Sequence, residues 1–418
     1  MKRLRVRRGG LGVVAGLSVL ALIAAACGGG GGGGGGSPSA SAPVQKIDVT
    51  VYGQGAWTGG FSSLVLPEMQ SAQIKFNELN NDPSYPARIT FKKADTQGSS
   101  TQAPPVVQDI VSDPNTVAIV GPAFSGESDV SGDTYNENKI PFVTPSATSV
   151  TLAKHHWDYW YRAVGNDDAQ GRLAADLVAQ YVKPKVLFVL HDKSTYGQPL
   201  AETVADTARK AGITVAKVEG APQSALNTGS TVNFSAVISD VKASNPDTVF
   251  FGGYFPDTGP FLKQAHDAGL DFTLVSGDGS VSSDFISLAG ADNAEGTYLV
   301  APSNINQTFT KKYAEVLGGN ALSIAVYSGE GYDVAGMIGE GIKQAIDGGA
   351  KTPEDIRAGI KDYLDSLTGG NVYRGVAKNY AFVPSTHELS TAADDLYYFY
   401  RIENGTVKNL GNASQVLG

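Results

Sequence analysis

Several short segments of this chain carry polar or small residues in groupings suited to holding charged groups of a small molecule. In GPAFSGESDV (121–130), Ser125 follows an apolar run and opens a helical stretch, so its hydroxyl and the backbone N–H groups after it could hold a carboxylate. In IPFVTPSATSV (140–150), Pro145 leads into Ser146, Ala147 and Thr148, which set carbonyl, amide and hydroxyl groups side by side. SGDGS (276–280) places Asp278 between glycines, and an ammonium group is the natural counterpart of that acid. Tyr196 in DKSTYGQPL (192–200) and Tyr254 in GGYFPDTG (252–259) stand beside glycine at the ends of apolar runs, where an aromatic ring suits the wall of a cleft. An anion site facing a carboxylate across a dry cleft is what a zwitterion needs. Each group also has a plain structural use: Ser125 as a helix cap, residues 146–148 as a Ser/Thr turn, Asp278 as the start of an Asp-Gly turn.

These segments share one position, just after the C-terminal end of a strand, where open α/β sheets bind ligands. From Ile47 on, short β-rich apolar runs alternate with amphipathic helical patterns, the signature of parallel α/β units. Strands are predicted at 47–52, 87–95, 117–121, 185–192, 247–254 and 272–279, with helices at 66–79, 170–182, 197–212 and 259–269. The units fall into two sets, which predicts two lobes. Residues 397–411 instead alternate around Asn404-Gly405, a two-residue hairpin signal, so the chain is expected to end in an antiparallel appendage.

Other chemistries find little support. HExxH, CxxC, GxSxG and GxxxxGK[ST] patterns are missing, and Gly53-Gln54-Gly55 lacks the third glycine of a dinucleotide fingerprint. His155 and His156 are adjacent, so their side chains diverge, and a solvated loop is expected there rather than a metal site. No enzyme, cofactor or metal is therefore expected. The 418 residues include 32 Lys and Arg against 41 Asp and Glu, but five of the bases lie in the first eight residues. From residue 28 on the balance is 27 against 41, or −14, which argues against nucleic-acid binding.

The N-terminus reads as a targeting segment. A basic stretch through Arg8 precedes an apolar one from Leu11 to Ile23, then Ala24, Ala25 and Ala26, then Cys27, the sole cysteine of the chain. This order predicts a lipoprotein signal peptide over 1–26 and lipidation of Cys27, the alternative being an uncleaved signal anchor. Residues 28–44, nine glycines followed by a Ser/Pro/Ala stretch, would be a flexible tether averaging roughly 20–25 Å. The body is expected outside the cytoplasmic membrane.

Taken together in order, VVQDIVSDPNTVAIVGPAFS, KIPFVTPSAT, VLFVLHDKSTYGQ, PDTVFFGGYFPDTGPFLKQAHDAGL, GDGSVSSDFISLAG and AEGTYLV resemble the branched-chain amino-acid (Leu/Ile/Val) periplasmic binding proteins, the substrate-binding lipoproteins of ABC importers. The resemblance implies a type I periplasmic-binding-protein fold of two doubly wound α/β lobes, a ligand cleft between them and three hinge crossings, near residues 164, 300 and 376. Lobe 1 would comprise 45–164 and 301–376, and lobe 2 165–300 and 377–418. By position, Ser125 and Thr148 would bind the ligand carboxylate, Thr148 and the Ser146 carbonyl would reach its amino group, and Asp278 would supply the countercharge. Tyr196 and Tyr254 would close over the ligand from lobe 2, with the loop Trp57-Thr58-Gly59 walling the pocket from lobe 1. The family's leucine binders carry Glu where this chain has Asp278, and Leu64 falls where an aromatic ring is usual. The implied partners are an amino acid, an ABC permease with its ATPase subunits, and the membrane through Cys27, with the protein itself a monomer. A ligand-sensing lipoprotein serving a separate receptor, or a binder of another small carboxylate or amide, is the alternative.

Overall fold

The structure, a computed structural model, describes residues 46–223, 232–305, 307–317, 325–390 and 394–418. The predicted signal peptide, Cys27 and the tether lie outside the described residues. The first stretch runs β1 (Ile47–Gly55), α1 (Ser62–Asn81), β2 (Ala87–Asp95), α2 (Ala103–Ser112), β3 (Thr116–Val120), α3 (Ser125–Glu137), β4 (Phe142–Thr144) and β5 (Trp160–Arg162). Its strands form an all-parallel sheet of order β2-β1-β3-β4-β5. The second stretch begins α4 (Asp167–Leu177), β6 (Val186–His191), α5 (Gly197–Lys210), β7 (Thr214–Gly220), α6 (Ser235–Ser244) and β8 (Thr248–Gly252). It continues through α7 (Phe255–Asp267), β9 (Thr273–Ser276), α8 (Ser283–Ala289), α9 (Ala291–Ala294) and β10 (Tyr298–Ala301). There follow α10 (Gln307–Leu317), α11 (Ser328–Asp347), α12 (Pro353–Ser366), a small pair β11 (Tyr373–Arg374) and β12 (Asn379–Tyr380), and the final strands β13 (Tyr398–Glu403) and β14 (Thr406–Asn412). The second sheet has the order β14-β13-β10-β9-β8-β6-β7, with β13 antiparallel to both β10 and β14. Asn404 and Gly405 take the left-handed backbone of the predicted tight hairpin, with φ of 53° and 68°.

The strand sequences explain the layering. TVAIV of β3 and TVFFG of β8 are buried along their whole lengths, as strands covered on both faces must be. In β6 the period-two alternation divides the residues between two cores. Leu187 and Val189 pack with Leu173 of α4 and Leu200 of α5, while Phe188 and Leu190 pack with Ile238 of α6 and Phe261 of α7. In the first sheet one face carries Met69 and Phe76 of α1, Ile338 of α11 and Ile360 of α12. The other face packs Ile110 of α2 and Tyr135 of α3 with Trp157 and Trp160. Both sheets belong to one compact unit, Pro43–Gly418.

The chain passes between the two sheets where neighbouring residues change core. Ala163 belongs to the first core and Val164 to the second. After β10, Ile305 is still in the second core, whereas Phe309 and Tyr313 of α10 pack against Ile74 and Tyr332 beside the first. The last passage differs from the sequence expectation. Tyr380, Phe382 and Leu389 sit in the first core, so the return to the second sheet follows Leu389 rather than lying near residue 376. The reason lies in the buried Arg162, which pairs with Glu388 and donates to the carbonyls of Ala147 (3.2 Å) and Ser149 (2.7 Å), holding 387–389 against β5. Asn166 donates to the same Glu388 carboxylate at 3.0 Å, so the first and last passages are tied together.

Candidate functional site

The C-terminal ends of both sheets face a common cleft. From the first lobe, β3 leads through Phe124 into α3, whose first residue is Ser125, and β4 leads into the turn carrying Ser146 and Thr148. Thr144 shapes that turn: its hydroxyl accepts from Ala147 N at 2.9 Å and donates to the Pro122 carbonyl at 2.8 Å. From the second lobe, Tyr196 precedes α5, Tyr254 caps the start of α7, and Asp278 follows β9. Between them lies a small cavity with room for water centres of about 30 Å³, enough for one or two waters. Its lining includes Ser125, Ser146, Thr148, Tyr196, Tyr254 and Asp278, together with Leu64, Val65 and Glu68 of α1, Phe124, and Tyr327. The cleft widens outside it into a mouth of about 580 Å³ flanked by Ser99, Gly126, Asp192 and Ser194.

Asp278 is the most densely held group. Its Oδ1 accepts from Gln170 Nε2 (2.7 Å) and Tyr196 Oη (2.8 Å), and its Oδ2 accepts from Tyr327 Oη (2.7 Å). Burial raises its pKa, and these three donors oppose the rise. The glycines around it have a steric cause: a Cβ on Gly277 would lie 2.3 Å from the Tyr196 hydroxyl. Behind it Asp167, at the start of α4, is fully buried, and burial and the nearby Asp278 charge drive its pKa well up. Thr148 eases that shift in part, although neither Asp167 oxygen meets hydrogen-bond geometry with a partner among the described residues.

The first-lobe wall is different. The Ser125 hydroxyl accepts from Ser149 N at 3.2 Å, and the Ser146 hydroxyl donates to the Ala123 carbonyl at 3.0 Å. Glu68 is fully buried, and neither of its carboxyl oxygens has a hydrogen-bond partner among the described residues. Burial raises its pKa well above the ordinary carboxylate range; nearby Ser146 opposes this, while the charges of Glu330 and Glu127 add to it. The cleft is closed by aromatic rings. Tyr254 meets Phe61 and Phe124 of the first lobe edge to face, both at 5.4 Å, and packs on Tyr196 at 4.9 Å.

Six of the residues singled out from sequence thus converge on one cavity. Ala147 is buried beside it in the first-lobe core, where its carbonyl serves Arg162. Trp57 and Thr58 do not line it. The Trp57 indole donates to the Gly53 carbonyl at 2.7 Å and lies beside Phe91, while exposed Thr58 donates to Asp95 at 2.5 Å. The wall expected from that loop is built instead by Leu64, Val65 and Glu68, one turn into α1 and beyond. Glu68 was missed; the one signal for it is an acid within the helical pattern LPEMQSAQIKF, which does not say that the helix lines the cleft. Tyr327 carried no signal, because its role follows from a left-handed backbone (φ 66°) that no residue pattern announces. His155 pairs with Asp129 at 2.8 Å and stacks on Trp157, and no cluster of metal-ligating side chains occurs among the described residues.

A family model described as periplasmic binding protein matches residues 55–406. The chain belongs to the periplasmic binding protein family. One relative, the leucine-, isoleucine-, valine-, threonine- and alanine-binding protein of Pseudomonas aeruginosa, is 31% identical over 286 residues, 67% of this chain and 74% of that one. The Leu/Ile/Val-binding protein BraC3 of Rhizobium johnstonii is 28% identical over 325 residues, 77% of this chain and 86% of that one. In fold, the crystal structure of a leucine-binding protein from Thermotoga maritima matches with a TM-score of 0.73 at 20% identity, covering 86% of this chain and 97% of that one. This periplasmic binding protein therefore has the type I fold, two α/β lobes about a cleft, and is of the branched-chain amino-acid type. The family consists of non-enzymatic, extracytoplasmic solute binders of ABC transport. No helix among the described residues is long and apolar enough to cross a membrane.

Proposed function

We propose that this periplasmic binding protein captures a free amino acid between its lobes by hinge closure and delivers it to an ABC permease, while tethered to the outer face of the cell membrane through lipidated Cys27. The observation that carries the reading is the opposition of Asp278 to the Ser125, Ser146 and Thr148 wall across one buried cavity. Ser125 and Thr148, with the backbone N–H groups opening α3, take the ligand carboxylate; Thr148 and the Ser146 carbonyl reach its ammonium; Asp278 supplies the countercharge. A carboxylate offers about four acceptor sites, so Asp278 keeps room for one more donor beside its three. Tyr196 and Tyr254 cover the ligand, and the Tyr254–Phe61–Phe124 contacts lock the lobes over it. The described lobes are 46–163 with 309–317 and 325–389, and 164–223 and 232–305 with 396–418, the passages between them acting as hinges. The tether keeps this body, a monomer, clear of the lipid surface.

The test is a thermal-shift screen of the purified protein against the amino acids and against small carboxylates without an amino group. A ligand at 100 times its dissociation constant stabilises the folded state by about 2.7 kcal/mol. A shift with at least one amino acid is expected. Shifts only with carboxylates that lack an amino group would replace this reading. For the anchor, Cys27→Ser is expected to release the protein from membranes, and retention there would indicate an uncleaved helix instead.

A further inference from the structure

Glu68 is the one cavity-lining group whose chemistry the capture of a zwitterion leaves unused. It sits on α1 where that helix packs closely on α11: a Cβ on Gly331 would lie 2.2 Å from the Glu68 carbonyl oxygen. That contact fixes the backbone of α1, and the carboxyl group contributes to the cavity wall beside Leu64 and Val65. The acids nearest in charge are already engaged. Glu330 pairs with Lys378 at 2.8 Å and accepts from Ser303 at 3.0 Å, and Glu127 accepts from Thr96. Among the described residues lining the cavity there is no lysine, arginine or histidine to answer Glu68.

A buried carboxyl without a partner is costly, and a donor that reaches it recovers that cost. Supposing the amino-acid reading above, the ligand's α-carboxylate and α-ammonium occupy the Ser125–Thr148 wall and Asp278. Its side chain then runs over Leu64 and Val65 toward Glu68. An aliphatic side chain would seal Glu68 in with only the Ser146 hydroxyl nearby and no charged partner, whereas one ending in a cationic nitrogen would complete an ion pair in a dry cavity. We infer that the preferred ligand is an amino acid whose side chain carries a second, cationic nitrogen, and that Glu68 is the residue that selects it. This goes further than the Leu/Ile/Val ligands in the names of the relatives.

The test uses matched pairs that differ only by a terminal ammonium or methyl group: 2,4-diaminobutyrate against norvaline, and ornithine against norleucine. Affinities for the purified full-length chain are measured by calorimetry. For wild type, the cationic member of at least one pair is expected to bind on the order of 100-fold tighter or more, because a site built around a buried polar group rejects the analogue that lacks its partner. Glu68→Met is expected to invert that preference. Wild type binding the methyl members as tightly as the cationic ones, or an unchanged preference in Glu68→Met, would overturn the inference. Binding of leucine-like ligands alone would leave the amino-acid reading standing and remove this one, whereas binding of no amino acid would remove both.

Discussion

Asp278 on the second lobe accepts three hydrogen bonds from protein donors, whereas Glu68 on the first lobe, facing the same cavity, accepts none of good geometry among the described residues and has only the Ser146 hydroxyl nearby. Both are acids out of reach of bulk water, and burial raises the pKa of each. They differ in what the fold has built around them. Tyr196, Gln170 and Tyr327 come from three separate elements and converge on Asp278, so its geometry is set before any ligand arrives, the preorganisation that saves ordering cost on binding. Glu68 has packing and, among the described residues, no well-aligned donor, only the Ser146 hydroxyl near it. The second lobe thus presents a finished acceptor, and the first presents an unsatisfied one whose cost the folded chain carries, a pattern expected at sites selected for binding rather than for stability.

The strongest way to break this contrast is to remove the finished acceptor. Asp278→Ala leaves the Tyr196 and Tyr327 hydroxyls without their acceptor in a buried site, and each orphaned polar group costs about 1–3 kcal/mol. A loss on the order of 4 kcal/mol in urea-unfolding free energy is expected, together with loss of amino-acid binding. Asp278→Asn retains an acceptor and should fold nearly as well, yet weaken ligands bearing an ammonium group selectively. Unchanged affinity in Asp278→Asn would reduce Asp278 to a turn residue with well-placed neighbours.

Acidity probes both walls at once. Burial pushes Glu127 up to about 7 despite its Thr96 hydrogen bond, and Asp192 at the cleft mouth also to about 7; burial likewise raises Glu68 and Asp167 well above the ordinary carboxylate range. In each case the folded state holds a proton that the unfolded chain has released above its ordinary carboxylate pKa. Stability contributed by these groups is therefore complete at the acid end of the window and declines as pH rises from about 4.5 through about 7. For Glu127 alone the displacement from 4.5 to about 7 amounts to about 3 kcal/mol. Chemical denaturation without ligand should give a higher unfolding free energy at pH 5 than at pH 8. A protein that gains stability over that interval would show that the buried acids are paired in solution.

A finer cut separates the donors on Asp278. Tyr327→Phe removes one hydroxyl and keeps the ring and its left-handed backbone, so it isolates a single charge-assisted hydrogen bond worth about 2 kcal/mol. Tyr196→Phe removes a comparable bond, but its hydroxyl also accepts from Gly279 N at 3.2 Å. The Tyr196 variant should therefore lose slightly more stability. Equal and negligible losses in both would mean that Asp278 is held by burial rather than by its donors.

How much of this was legible in the residues follows the same division between the walls. The second-lobe residues announce themselves because Tyr196, Tyr254 and Asp278 follow, within a few residues, strands whose apolar runs are unmistakable, and glycines flank the acid. The Ser125 and Ser146–Thr148 segments were legible for the same reason. The α1 wall was not, because its position depends on how far α1 leans over the cleft, which Gly331 and the packing of α11 decide from more than 260 residues away. Trp57 and Thr58 lie nearer in sequence to the strand end, yet the Trp57 indole turns back to Gly53. The last passage between the sheets lies beyond the expected residue 376 for a related reason: Arg162 and the packing of Tyr380, Phe382 and Leu389 in the first core hold 380–389 to the first lobe.

The smallest expected effect sharpens the contrast most directly. Glu68→Met replaces the buried acid by an apolar side chain of similar length, and no described donor loses a well-formed hydrogen bond, since the nearby Ser146 hydroxyl donates to the Ala123 carbonyl instead. Removing a buried polar group that has no partner is neutral or stabilising, so the free protein should gain about 1 kcal/mol. The gain should depend on pH. Burial raises the Glu68 pKa, so the folded wild type holds the proton more tightly than the unfolded chain does, and keeping that acid in the fold costs more as pH rises. The stability difference between Glu68→Met and wild type is therefore expected to widen from pH 5 to pH 8 in parallel unfolding titrations. A constant difference would assign the effect to side-chain shape, and a loss of stability in the variant would mean that Glu68 is partnered in solution and that the two walls of the cavity are built alike.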